Sequence, residues 1–171
     1  MTETKKQGTT SRASDTRTME VRRIVTLRGV APIMFDRYPG DNNTKLLWHQ
    51  KVYLSGAGVI CLPTLNIVSL LSSHNTNSAP KRLRDARQFK KIANSCLSFV
   101  VITAPDGSDM IPFLRNGEPI VMGVPSESRD EQSGLYLHRA VARLDKGIPN
   151  PKERPTLPTP WSIQFSLTIL P

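Results

Sequence analysis

The sequence predicts an α+β fold: an antiparallel sheet with two helices on one face. Three stretches carry that expectation. Near the C-terminal end Trp161, Ile163, Phe165, Leu167 and Ile169 alternate with Ser162, Gln164, Ser166 and Thr168, a two-residue period that buries one face of a strand and wets the other. In the middle, residues 64–96 carry apolar side chains at three- and four-residue spacing, the period of amphipathic helices. Asn116-Gly117 stands between MIPFLR and PIVMGV, and Asn-Gly is among the strongest short-range hairpin signals.

Residues 1–19 are rich in Thr, Ser, Lys and Arg and have almost nothing to bury. They are expected to form a disordered basic tail, leaving 20–171 as a single α+β domain. The first strand is VRRIVTLR. Alternation places Val21, Arg23, Val25 and Leu27 on one face, and Arg22, Thr26 and Arg28 around Ile24 on the other. A half-buried strand with Arg22 and Arg28 on its open face suits contact with an anion, or simply a solvated edge. Gly29 and Pro32 end it. Residues 36–43 hold dense turn chemistry, and Leu46, Leu47 and Trp48 read as a short helix or an extended segment. Residues 52–54 and 58–62 flank Ser55-Gly56-Ala57 as a hairpin. Tyr53 and Trp48 lie here as aromatics that either stack a base or pack on a core edge.

Thr64 is a fitting N-cap for a helix whose Leu65, Val68 and Leu71, widened by Ile67 and Leu70, should face the sheet. A polar loop at 74–80 follows. The next segment, KRLRDARQFKK, is the most basic of the chain: Lys81, Arg82, Arg84, Arg87, Lys90 and Lys91 against Asp85 alone. Leu83, Ala86, Phe89, Ile92 or Ala93, and Cys96 recur at helical spacing, so the cations fall on the outer side of an amphipathic helix. Guanidinium forks match phosphate oxygens, and a lopsided cationic face of this kind suits a phosphate backbone. Residues 97–103, LSFVVIT, read as a central strand. The hairpin at 110–124 is confined to sheet edges by its prolines and offers a docking edge. The charged loop 125–133 is expected to be mobile, 135–144 to be a strand, and the proline-rich 145–160 to be extended or turning.

The chain has 171 residues, 23 Lys plus Arg against 14 Asp plus Glu, a formal charge of +9 and a pI near 10.0. That imbalance favours an anionic partner, through steering and counterion release. Cys61 and Cys96 stand far apart in apolar surroundings and read as free thiols of a reducing compartment. His49, His74 and His138 are scattered singly, with no metal-ligand spacing, and the acidic residues sit in turns. No catalytic motif, cofactor fingerprint, signal peptide or membrane-spanning run is recognisable, so the expectation is a non-enzymatic, cofactor-free cytoplasmic protein.

The strand running into LRGVAPIMF, followed by GVICLP opening a helix, resembles the RAMP superfamily, the RRM-related, ferredoxin-like subunits that coat guide RNA in CRISPR effector complexes. Ile60 to Thr64 stand where that family's helix-opening turn lies, and Arg154, Pro155 and Trp161 to Leu167 are also similar to small phage proteins of this general shape. The helix-opening Ser-Gly and the glycine-rich loop near the C-terminus are absent. The resemblance implies an RRM-like sheet with β-hairpin insertions and single-strand binding.

Together these readings predict a single-stranded RNA- or DNA-binding protein that works as a repeating subunit in a homo-oligomer or larger assembly, without a membrane. Its predicted contacts are Arg22, Arg28, Lys81, Arg82, Arg84, Arg87, Lys90 and Lys91, with Tyr53 as a stacking surface. The alternative is a viral or phage structural or assembly protein whose basic face meets nucleic acid or an acidic partner.

Overall fold

The structure, a computed structural model, describes residues 19–41, 43–72, 89–143 and 149–171. It is an α+β fold in which every strand pair is antiparallel. The strands are β1 (Val21–Arg28), β2 (Ile33–Met34), β3 (Tyr53–Leu54), β4 (Ile60–Pro63), β5 (Val100–Thr103), β6 (Met110–Arg115), β7 (Glu118–Pro119), β8 (Tyr136–Arg143), β9 (Pro149–Leu157) and β10 (Ser162–Ile169). The α-helices are α1 (Thr64–Ser72) and α2 (Phe89–Phe99), and a 3-10 turn covers Trp48–Lys51. A seven-stranded sheet follows the order β1-β10-β6-β4-β3, with β5 also on β10 and β7 on β6. A second, three-stranded sheet, β2-β9-β8, packs over its apolar face.

β10 is the hub, and its sequence explains why. Its strict alternation gives one apolar face over its whole length, so it pairs with all eight residues of β1 along one edge. The other edge is shared: Ser166 to Ile169 pair with β5, and Ser162 and Ile163 with β6. Ile163, Phe165, Ile102, Ile111, Phe113 and Ile60 form the buried face. Phe113 lies edge-on to Phe35 and to Trp161, with ring centroids 5.5 Å apart in each case. α1 enters this core through Ile67, with Val68 and Leu71 against it, so the helix layer lies on the apolar side of the large sheet.

Several expectations change. Leu65 is not on the inward stripe of α1 but 67% exposed. Ile67, Val68 and Leu71 converge on one side of the helix, and Leu65 falls well round from them. The apolar run 97–103 is not a central strand: α2 continues through Phe99, and among the described residues β5 pairs with β10 alone. Apolarity is common to a helix end and a strand start, so it did not mark the boundary. The Asn116-Gly117 turn forms, with φ of 55° and 92°, but its hairpin is not an edge. β6 lies between β4 and β10, and Pro112 is tolerated where only the β4 side is paired. The loop 125–133 is ordered around the buried Asp130, whose carboxylate accepts from the amides of Gly123, Gln132 and Ser133 and from the Ser133 hydroxyl. The proline-rich segment extends into a full strand, β9.

Candidate nucleic-acid interface

The register of the large sheet decides which side chains share its polar face. Arg22 stands opposite Thr168, Ile24 opposite Ser166, Thr26 opposite Gln164, and Arg28 opposite Ser162. Ser162 is in turn opposite Leu114 on β6, Pro112 opposite Cys61 on β4, and Cys61 opposite Tyr53 on β3. Arg22, Arg28 and Tyr53 therefore lie on one face, the one turned away from α1 and the second sheet. The face spans five strands, roughly 19 Å from β1 to β3 at the usual interstrand spacing. Along β1 it is open: Arg22, Thr26 and Arg28 are exposed, Ile24 is 56% exposed, and Val101 on β5 is 42% exposed.

Arg22 is positioned from below. Its Nε donates to Ser166 Oγ at 2.7 Å, and Ser166 is buried, so this residue of the wet face of β10 is not wet but serves as a fixed anchor. The terminal guanidinium nitrogens of Arg22 remain for an acceptor above the sheet. Gln164 Nε2 donates to Thr26 Oγ1 at 3.3 Å. At the far edge the Arg37 guanidinium lies over the half-buried Tyr53 ring, 5.6 Å from its centroid. The Tyr53 ring is thus already covered by a cation, and stacking a base on it requires Arg37 to move or to be the outer plate of the stack. Between these ends a hollow of about 560 Å³ is lined by Cys61, Met110 and Pro112 and rimmed by Asp106 and Asp109. Its apolar floor suits a planar ring, and its carboxylate rim does not suit a phosphate.

Of the sequence-predicted contacts, Lys81, Arg82, Arg84 and Arg87 lie outside the described residues, as do His74 and the tail up to residue 18. Lys90 and Lys91 are exposed on the first turn of α2. That helix packs on α1 and β5, so its cations sit on the opposite side of the sheet from Arg22 and Arg28. Lys90 and Lys91 are therefore back to back with Arg22 and Arg28. Sequence reading missed Arg37, Thr26 with Gln164, and the anchor Ser166. The alternation of β10 placed Gln164 and Ser166 on one face, but their β1 partners follow only from the register. Nothing in the turn 36–43 signals that Arg37 reaches Tyr53.

Burial pushes the Cys61 and Cys96 thiols up, with the Asp106 charge adding to the effect on Cys61, away from the thiolate that nucleophilic or metal chemistry uses. Both are free. Among the described residues no group of three or more His, Cys, Asp or Glu is placed to hold a metal ion, and no helix is long and apolar enough to cross a membrane. Comparison with protein-family models, curated proteins and solved structures found no match.

Proposed function

We propose that this chain is a non-enzymatic binder of single-stranded nucleic acid, acting as a repeating cytoplasmic subunit. Arg22 and Arg28 grip the backbone across the open sheet face, and Tyr53 with Arg37 receives a base at its far edge. Lys90 and Lys91 add phosphate contacts on the other side, together with the basic residues Lys81, Arg82, Arg84 and Arg87 that precede them in the sequence. The observation that carries the reading is the antiparallel face open along β1, with anchored and exposed arginines, in a chain of charge +9. RRM-like domains bind single strands on an open sheet of this kind with helices behind it. The ferredoxin-like and RAMP-like assignment belongs to the same proposal. Both described helices fall between β4 and β5 with no described strand between them, which departs from the β-α-β-β-α-β order.

Fluorescence anisotropy with labelled single-stranded RNA, single-stranded DNA and duplex DNA at two salt concentrations tests it. Preference for single strands, steeply weakened by salt and lost in Arg22→Glu/Arg28→Glu, is the expected result. Equal weak binding to all three probes would reduce the reading to general basicity. A second reading, an assembly protein of viral or phage type, draws on β1. Among the described residues that strand pairs only with β10, so its other eight-residue edge is available to another chain, with Val21 and Leu27 39% and 41% exposed. No binding to any probe, together with self-association, would favour it.

A further inference from the structure

Beside Arg37, an open cleft of about 640 Å³ lies between residues 36–41 and 44–46 on one wall and β9 on the other. Four cations line it: Arg37, Lys45, Lys51 and Lys152. Three carboxylates line it too, but each is already engaged. Asp36 Oδ2 accepts from Arg154 Nε at 3.0 Å, and Glu153 Oε1 from Arg139 Nε at 3.0 Å. Asp41 closes its own turn: the amides of Asn43 and Thr44 and the Thr44 hydroxyl each donate to it at 2.7 Å. Counting the two pairing arginines, six cations face three carboxylates, an excess of three positive charges. Lys51 is fixed, its Nζ donating to the Glu153 carbonyl at 2.7 Å with two protons to spare. Lys45 and Lys152 make no ion pair among the described residues. Pro151, in the β9 wall, has no N–H to offer to an anion.

We propose that this cleft is a binding site for a phosphate monoester, with Lys45, Lys152 and Lys51 as its ligands and Arg37 at its boundary with the sheet face. A monoester brings close to two negative charges and three acceptor oxygens in a compact head, which matches a cleft lined by three lysines where two of the three carboxylates are already paired with arginines. Arg37 belongs to both surfaces, lining the cleft while its guanidinium lies over Tyr53. The 5′-phosphate of a strand on the sheet and the phosphate of a free mononucleotide offer the same chemistry. Only the first source rests on the single-strand reading.

The test compares 5′-phosphorylated and 5′-hydroxyl versions of one short single-stranded oligonucleotide by anisotropy, and titrates adenosine 5′-monophosphate alone by calorimetry, all with the full chain. The expected result is about tenfold tighter binding of the phosphorylated strand, the scale of one charge-assisted contact pair. That advantage disappears in Lys45→Ala/Lys152→Ala, which leaves the hydroxyl strand's affinity unchanged. Arg22→Glu/Arg28→Glu weakens both strands by one factor and keeps their ratio. If no oligonucleotide binds, the single-strand reading fails, yet mononucleotide binding abolished by Lys45→Ala/Lys152→Ala still supports the cleft. Equal affinity for both strands with no mononucleotide binding overturns the proposal, as does a phosphate preference that survives the double lysine substitution.

Discussion

Asp130 shows how one side chain organises a loop that reads as featureless. Its carboxylate collects four donors, three amides and the Ser133 hydroxyl, within residues 123–133. Burial alone would push this carboxyl up. The Ser133 hydroxyl and the amides of Gly123, Ser133 and Gln132 outweigh that and hold it below the ordinary value. A depressed folded-state pKa gives stability that is complete above the unfolded-state value, about 3.9, and that drains away as pH falls through the folded one. Asp130→Asn should cost about 2 kcal/mol near neutral pH, measured by urea denaturation, and should flatten the loss of stability below about pH 4. An unchanged acid profile would remove Asp130 from that role. Gly29 is a second single-residue constraint. A Cβ there would stand 2.1 Å from the Trp161 ring, whose Nε1 donates to the Ala31 carbonyl at 3.0 Å. Gly29→Ala should destabilise by about 1–3 kcal/mol and shift tryptophan fluorescence, since the indole has to move. Neither constraint is legible in the sequence, where Asp130 is one acid in a charged loop and Gly29 one breaker after a strand.

At the scale of elements, β9 explains how a segment with Pro149, Pro151 and Pro155 can be a strand. The prolines share one parity. The Phe35 N–H donates to the Pro155 carbonyl at 2.9 Å and Lys51 to the Glu153 carbonyl, so residues of that parity turn their backbone away from β8. The other parity faces β8 and keeps its N–H groups for the ladder. Position within the strand, not proline content, therefore decides tolerance. Pro151→Val should change stability by less than about 0.5 kcal/mol, whereas Lys152→Pro removes a ladder donor and should cost about 3 kcal/mol or more, compared by urea midpoint. The one-residue shift makes the outcome specific to this register. Elements with a strong local period were readable in advance: β10, the Asn116-Gly117 hairpin, and α1 from Thr64. β9 reads only as extended, because its alternation is in backbone donors rather than in hydrophobicity. The α2–β5 junction at Phe99 and Val100 is hidden in one apolar run that serves both conformations.

For the molecule as a whole, the sequence shows that cations are in excess and which strand and helix carry them, but not that the sheet separates them. Arg22 and Arg28 occupy the open face, while Lys90 and Lys91 lie on the helix layer behind it. Cationic content is a property of composition; its division between two sides depends on pairing between residues more than a hundred positions apart, such as Arg22 with Thr168. The same long-range placement brings Lys45 and Lys152 to opposite walls of one cleft. The division predicts a length dependence. A short strand of about four nucleotides fits one face only, within the range that small sheet-based modules cover. If the sheet face is primary, Arg22→Glu/Arg28→Glu weakens binding at every length, while Lys90→Glu/Lys91→Glu has no effect on the short strand and a growing one on strands long enough to pass round an edge to α2. The salt dependence should follow: removing two phosphate contacts lowers the slope of log affinity against log salt by about 1.4 for single strands. That decrease belongs to the arginine pair at all lengths and to the lysine pair only on the longer strands. Equal effects of both pairs on the shortest strand would place the primary contact on neither face alone. An effect of the lysine pair alone would move the interface to the helix layer, with the open sheet face left to assembly.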